Sequence, residues 1–144
     1  MNNREFKFRA FDNKKLLMSK PFSFGHILNF NDKHYRSLDK NDDLVMQFTG
    51  LKDKNGKNIY EGDIVIWGCG FTGPYDSEYR HRYAKVELFH SLQFRIIKYF
   101  NTETKSFEKG DNYVFGFSNF IYTETEKYLE VLGNVFENPE LLNV

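Results

Sequence analysis

The segment from residue 50 to residue 65 constrains the fold of this 144-residue chain more than any other stretch. It reads Gly-Leu-Lys-Asp-Lys-Asn-Gly-Lys-Asn-Ile-Tyr-Glu-Gly-Asp-Ile-Val and places two turn signals between apolar residues. Asn55-Gly56 is a preferred dipeptide of two-residue type I′ hairpin turns, because both residues tolerate positive φ. Asp53 can also accept hydrogen bonds from backbone amides two residues on, which suits a four- or five-residue loop equally well. A β-hairpin is therefore predicted here.

A second tight turn, Glu-Gly-Asp at 61–63, leads into the β-branched and aromatic run at 64–67, which is typical of a buried strand. Asp53, Glu61 and Asp63 would be available to a metal ion or a reacting proton. Acids beside glycines more commonly form turns, and no histidine or further acid converges on them in the sequence. We therefore assign them to turns and expect no metal site and no cofactor.

Short strands joined by turns are predicted for most of the remaining chain. Alternating or aromatic-rich runs indicate strands at 6–11, 16–18, 84–89, 94–100, 113–117 and 128–136, with a hairpin between the first two and a bulge at Gly133. Residues 101–112 are polar and predict a connection with a turn at its end, and residues 118–127 suit either a short helix or a loop. Asn138 as N-cap and Pro139 at the first helical position predict one helical turn.

This order of elements predicts a mainly β fold, an antiparallel small barrel of the SH3-like kind. Residues 1–144 are expected to form a single domain. Residues 1–45 would form an N-terminal hairpin and an irregular arm. Residues 46–144 would form the barrel-like core, with an inserted loop at 68–82.

The inserted loop contains three glycines and a proline and exceeds the usual length of a connection. Its end, Tyr-Arg-His-Arg-Tyr at 79–83, suits stacking on bases with phosphate contact, or docking on an acidic protein surface. A flexible hairpin tip with solvated charges is the alternative interpretation. The candidate binding residues are Trp67, Phe71, Tyr75, Tyr79, Arg80, His81 and Arg82.

Charge and composition narrow the classes of function. The 20 basic and 20 acidic residues cancel, which argues against a strongly basic surface and does not favour nucleic acid as a partner. Aromatic residues make up 18% of the chain, more than one small core can hide, so some are expected to line a groove or a subunit contact. The four histidines are isolated from one another, and Cys69 lacks an orienting residue beside His81, so no catalytic residue is assigned.

Cys69 is the only cysteine, which excludes an internal disulfide and fits a reducing compartment. The first residues lack an apolar signal region, and no run approaches the roughly 20 apolar residues of a membrane span. We therefore expect a cytoplasmic protein without membrane contact.

Three stretches together resemble the YopX family of phage and prophage proteins: residues 4–12, residues 46–65 and residues 130–142. The resemblance implies a small phage-encoded protein of a bacterial host, from a family with no established biochemical role, and it brings no catalytic residues. The matching positions are mainly turn glycines and strand apolar residues, which the resemblance marks as structural. They include Gly50, Asp53, Asn55, Gly56, Gly62, Asp63, Gly133, Asn138 and Pro139.

The sequence favours a non-catalytic accessory protein that binds a phage or host protein and forms homo-oligomers, because oligomers would bury the surplus Phe and Tyr. The first alternative is a nucleic-acid-binding module that uses Trp67, Tyr79, Arg80 and Arg82. The second alternative is an enzyme whose site is assembled from distant residues.

Overall fold

The computed structural model describes residues 6–23, 43–67, 82–89, 91–101, 103–111, 113–116 and 129–143. Within these ranges the chain forms eleven strands and one 3-10 helix. The strands are β1 (Lys7–Asp12), β2 (Leu17–Met18), β3 (Phe22–Ser23), β4 (Asp43–Lys52), β5 (Asn58–Tyr60), β6 (Asp63–Trp67), β7 (Arg82–Phe89), β8 (Ser91–Asn101), β9 (Ser106–Lys109), β10 (Val114–Gly116) and β11 (Leu129–Asn134), and the helix is Pro139–Leu142. The predicted mainly β class with a short C-terminal helical turn is confirmed. The SH3-like barrel and the single domain stay predictions.

An N-terminal sheet contains β1 to β5 in the order β2-β1-β4-β5, with β3 beside β2 on the same edge of β1. The predicted first hairpin is confirmed, since Phe11 pairs with Met18 and Asp12 with Leu17. β4 begins at Asp43 rather than at Met46, so the end of the supposed irregular arm is strand. The other residues of the arm, 24–42, lie outside the described residues.

A C-terminal sheet contains β6 to β11 in the order β10-β8-β7-β6-β11, with β9 paired to β8. All its described pairings are antiparallel, and the predicted bulge at Gly133 is confirmed by a register shift between Val131 and Gly133. The inward faces of its strands form the main core together with Ile59 of β5. The fully or almost fully buried members are Ile59, Val65, Ala84, Val86, Phe94, Ile96 and Leu129.

The predicted hairpin between β4 and β5 is present, with the longer of the two loops that the sequence allowed. The loop is residues 53–57, closed by the amide of Asp53 donating to Lys57 O at 2.8 Å. Only Gly56 has positive φ there, at 79°, whereas a type I′ turn needs two such residues. Asp53 stabilises this longer loop, because its Oδ1 accepts hydrogen bonds from the amides of Asn55 and Lys57, both at 2.9 Å.

The prediction that residues 101–112 only connect two strands is wrong, because β9 lies within them. This strand is four residues long and mostly exposed, so it lacks the apolar period that predicts a strand. Pairing with β8 and side-chain bonds hold it in place. Glu108 accepts hydrogen bonds from the Tyr99 hydroxyl at 2.9 Å and the Asn101 amide at 2.8 Å. Residues 118–127 lie outside the described part of the chain.

The C-terminal turn forms as predicted, but Asn138 does not cap it with its side chain. Its Oδ1 instead accepts the amide of Asn134 at 3.2 Å, and Asn134 Oδ1 accepts the amides of Phe136 and Glu137. A Cβ at Gly133 would lie 2.3 Å from Asn138 Oδ1, so only glycine fits beside this clasp. The Asn138 side chain therefore binds the preceding strand, β11, and not the helix that follows it.

The two sheets meet at a corner formed by Arg9 of β1 and the turn before β6. Arg9 Nη2 donates a hydrogen bond to Asp63 Oδ1, and the Tyr60 amide donates to Asp63 Oδ2 at 2.8 Å. The Arg9 guanidinium also lies 4.6 Å from the Tyr60 ring centroid. The side chains of Arg9 and Asp63 are 11% and 1% exposed, so this ion pair is sheltered from water. It links the N-terminal sheet to the first strand of the C-terminal sheet.

Gly62 completes the corner through its backbone. Its amide donates to Val86 O of β7 at 2.9 Å, and its carbonyl accepts the Val135 amide at 2.9 Å. Its φ is 82°, and an added Cβ would lie 3.3 Å from the Phe136 ring. The turn therefore joins β7 and the C-terminal segment at one point.

None of the described residues belongs to a helix that is both long enough and apolar enough to cross a membrane.

We expect Arg9→Met to lower the free energy of unfolding at neutral pH by about 3 kcal/mol, because it leaves the Asp63 carboxylate buried without a cation. Burial already raises the pKa of Asp63, and Arg9 opposes that rise. Without Arg9 the folded protein holds the Asp63 proton to higher pH, so the variant loses stability as pH rises through that pKa. Urea denaturation at mildly acidic and neutral pH measures both effects.

Lys54→Met is the matched control. It breaks the Lys54–Glu130 pair, which spans 2.7 Å but whose side chains are each 33% exposed. Its cost should stay within about 1 kcal/mol. Equal costs for the two variants would contradict the special role of the corner.

We expect Gly133→Ala to destabilise the protein by about 2 kcal/mol, because the new methyl group would overlap Asn138 Oδ1. Asn138→Ala alone should cost about 1 kcal/mol through the lost bond to the Asn134 amide. The double variant should cost only slightly more than Asn138→Ala, since the overlap with Oδ1 disappears and only the Cβ of residue 138, 3.1 Å away, still has to shift. Thermal unfolding of all three variants measures the coupling, and strictly additive costs would contradict this description of the clasp.

Candidate functional site

The described residues form an open groove of about 650 Å³ between the two sheets. One side is β4 and the other is the outer face of β7 and β8. The Glu61–Gly62 turn and the segment after β11 close its inner end. Its lining residues are Leu44, Val45, Met46, Glu61, Gly62, Lys85, Val86, Glu87, Leu88, Arg95, Val135 and Phe136.

The groove exists because β4 and β7 diverge from the corner. The Glu61 amide donates to Gln47 O of β4, and the adjacent Gly62 amide donates to Val86 O of β7, both at 2.9 Å. Beyond this junction no described strand lies between the two. The groove is therefore the space that opens where the two sheets separate.

The β4 side of the groove is apolar and partly open to water. Leu44 and Val45 are 40% and 43% exposed, whereas Met46 is 2% exposed. Met46 and Phe136 border the floor beside Gly62. A ligand in the groove would thus cover aliphatic side chains on this side.

The opposite side carries charges that are already paired. Arg95 Nε donates to Glu87 Oε1 at 2.8 Å, and Gln93 Nε2 donates to Glu87 Oε2 at 2.9 Å. Lys85 Nζ lies 3.7 Å from Glu87 Oε1. The hydrogen bond from Arg95 lowers the pKa of the Glu87 carboxyl, with burial opposing the shift. This side carries one net positive charge, which the Glu61 carboxylate at the inner end of the groove balances.

Two of the candidate binding residues inferred from the sequence are described by the structure, and both lie outside the lining of the groove. Trp67 ends β6 and pairs with Arg82, the first residue of β7, with the guanidinium 5.4 Å from the indole ring. The two therefore stand together where the inserted loop leaves and re-enters the sheet. Phe71, Tyr75, Tyr79, Arg80 and His81 lie outside the described residues, as do Cys69 and His90, so their roles stay predictions.

The turn residues singled out in the sequence have geometric roles in the described structure. Gly50 has a φ of 87° beside the register shift between β4 and β5. Asp53 is 6% exposed, and besides its own loop it accepts the Val131 amide of β11 at 3.0 Å. Asp63 ties the corner, as described above. Within the described ranges, no group of three or more His, Cys, Asp or Glu side chains is placed to hold a metal ion.

Sequence reasoning missed Leu44, Val45, Glu87 and Arg95 as residues of a site. The alternation of 84–89 placed Lys85 and Glu87 on an outer face, which was the available signal. The opposite side of the groove is β4, and the corner between the sheets fixes its position relative to Lys85 and Glu87. No local pattern in the sequence indicates this long-range placement.

Comparisons with known proteins place the chain in a family. The crystal structure of protein EF1440 from Enterococcus faecalis is similar, with 26% identity over 96% of this chain and 98% of that one, and a TM-score of 0.49. No curated protein matches the chain significantly. The model of the family described as YopX protein matches residues 7–143. Since this match spans nearly the whole sequence, as the motifs predicted, the chain belongs to the YopX family.

Proposed function

We propose that this protein is a phage- or prophage-encoded accessory protein of the bacterial cytoplasm that acts by binding, without catalysis, and self-associates. The observation that carries the proposal is an exposed leucine pair at the tip of the β1–β2 hairpin. Leu16 is 69% and Leu17 62% exposed. Two adjacent large apolar side chains on a projecting turn are costly in water and are well suited to a protein contact.

The backbone at Leu16 strengthens this argument. Its φ is 54°, a left-handed conformation in which a residue with a side chain costs about 1–2 kcal/mol relative to the right-handed one. Asp12 fixes the turn, because its Oδ1 accepts the amides of Lys14 and Lys15. Glycine or asparagine would fill the position with less strain. A leucine held there, exposed and strained, points to a function for the side chain.

The exposed apolar surface of this hairpin is confined to the tip. Leu17 pairs with Asp12, whereas Leu44 pairs with Phe11, the preceding residue of β1, so Leu17 and Leu44 lie on opposite faces of the N-terminal sheet. The apolar contact offered here is therefore Leu16 and Leu17 alone. A symmetric contact between copies would remove this tip from water.

A second candidate function is nucleic-acid binding. The observation in its favour is the Trp67–Arg82 pair, an aromatic and a cation at the base of the inserted loop. The zero net charge weighs against it, because phosphate contacts dominate such binding. It therefore ranks second.

The test is Leu16→Gly, with light scattering of the purified protein over a wide range of concentration at low and high salt. Glycine removes the apolar side chain and relieves the left-handed strain, and its larger unfolded-state entropy offsets part of the gain. The variant should be more stable by roughly 0.5–1 kcal/mol in its monomeric form and should self-associate less than wild type.

Lys105→Gly is the matched control, because Lys105 has a φ of 53° in an exposed turn but carries no apolar group. It should gain similar stability and associate like wild type. A wild-type protein that is monomeric at every concentration would refute self-association. Co-purifying nucleic acid that is shed at high salt, recorded by the absorbance ratio in the same run, would move the second candidate to first place.

A further inference from the structure

The edge of β4 that faces the groove carries an unpaired residue. Antiparallel pairs alternate between those that exchange hydrogen bonds and those that do not. Ala10, opposite Val45 in β1, directs both of its backbone groups away from β4: its amide donates to Ser19 Oγ and its carbonyl accepts the Ser19 amide. Ala10 and Val45 therefore form a non-hydrogen-bonded pair. The amide and carbonyl of Val45 consequently point away from β1.

The neighbouring residue along the same edge supports this orientation. Gln47 directs its carbonyl to the Glu61 amide at 2.9 Å, on the side away from β1, and Val45 has the same orientation two residues earlier. The outward carbonyl of Gln47 therefore has a partner in the corner turn, the Glu61 amide. Among the described residues, Val45 has no corresponding partner for its outward amide and carbonyl.

The groove beside this edge is long enough for a short strand. It is bounded by β4 on one side and by Lys85, Glu87 and Leu88 of β7 on the other. The open stretch from Leu44 to Met46 is about 10 Å long, which corresponds to about three residues of strand. Because β4 and β7 bound the groove on two sides, a lone extended segment reaches the Val45 edge more readily than the edge of another sheet does.

The charges of the groove specify the chemistry of the occupant. The lining carries two carboxylates and two cations, so its charges cancel and give no net attraction to a charged ligand. These residues are Glu61, Lys85, Glu87 and Arg95. The other contacts include the aliphatic Leu44, Val45 and Leu88 and the ring of Phe136. An uncharged apolar segment is complementary to such a lining, whereas a charged one would lose its hydration without a partner.

We propose that the groove binds an extended, uncharged apolar segment of a partner protein, which adds as a strand to β4 by hydrogen bonding to the amide and carbonyl of Val45. Main-chain hydrogen bonds supply affinity in this mode of recognition, and alternate side chains supply specificity. The inference rests on the proposed function, since it names what the protein binds. It uses a different surface from the Leu16–Leu17 tip.

The test begins with a displayed library of random heptapeptides selected on the immobilised wild-type protein. Selected peptides are synthesised with a fluorophore, and their affinity is measured by anisotropy for wild type, Val45→Pro and Val45→Thr. Proline removes the outward amide of Val45 without breaking a bond to β1, as edge strands tolerate. Threonine keeps both the amide and the shape.

We expect uncharged peptides with β-branched or aliphatic residues at alternate positions. Val45→Pro should weaken their binding about tenfold, and Val45→Thr should leave it within about twofold of wild type. A library that yields no peptide above background, or peptides that bind wild type and Val45→Pro equally, would overturn the proposal. A Val45→Pro variant that loses self-association while peptide binding persists would also overturn it, by assigning the edge to a second copy.

A second measurement on the peptide keeps the proposal testable if Val45→Pro fails to fold. Backbone N-methylation is introduced at each peptide position in turn and assayed on the wild-type protein. Methylation of the one peptide amide that donates to the Val45 carbonyl should abolish binding, and methylation of the amides on either side of it, which face away from β4, should be tolerated. Uniform tolerance would overturn the proposal. Self-association is measured separately by light scattering, so failure of the peptide arm leaves the leucine-tip proposal standing, and the reverse also holds.

Discussion

The buried ion pair between Arg9 and Asp63 is the interaction on which the arrangement of the two sheets depends. Asp63 occupies the first position of β6, where burial raises the pKa of its carboxyl and Arg9 opposes that rise. The pair is not a large net source of stability, because removing two charges from water costs about as much as their attraction returns. The Arg9 Nε and the Tyr60 hydroxyl are also buried without a hydrogen-bond partner among the described residues. The Arg9–Asp63 pair instead contributes specificity, because few other placements of β1 would bring a cation to the buried Asp63 carboxylate.

The groove follows from this corner. Once Asp63 is fixed, the Glu61–Gly62 turn bonds to β4 on one side and to β7 on the other, and the strands separate beyond it. The separation leaves the outward edge of Val45 open and places it opposite the paired charges of Glu87 and Arg95. A structural constraint at one end of the groove therefore leaves an open surface along its length. The candidate site presents apolar side chains and main-chain hydrogen-bonding groups, which favours a binding function over a catalytic one.

The sequence predicted most of what depends on local patterns. The hairpin at 53–57, the buried strand β6, the bulge at Gly133 and the C-terminal turn each have signals within a few residues. β9 was missed because its pairing with β8, rather than any apolar period, makes it a strand. The local pattern predicts a helix cap at Asn138, but it cannot show that the Asn138 side chain accepts the Asn134 amide instead. Val45 was assigned to an irregular arm, because its importance lies in which way its backbone faces, and that depends on pairing with β1.

The central claim is that the corner makes the two sheets one cooperative unit, and native-state amide hydrogen exchange tests it most directly. The amides to compare are those of Met46 in β4 and Ile96 in β8, both of which belong to buried strand residues. If the corner couples the sheets, the two amides open with the same free energy, equal to that of global unfolding. If the Met46 amide exchanges with a distinctly lower free energy than that of Ile96, the N-terminal sheet opens by itself, and the account is contradicted.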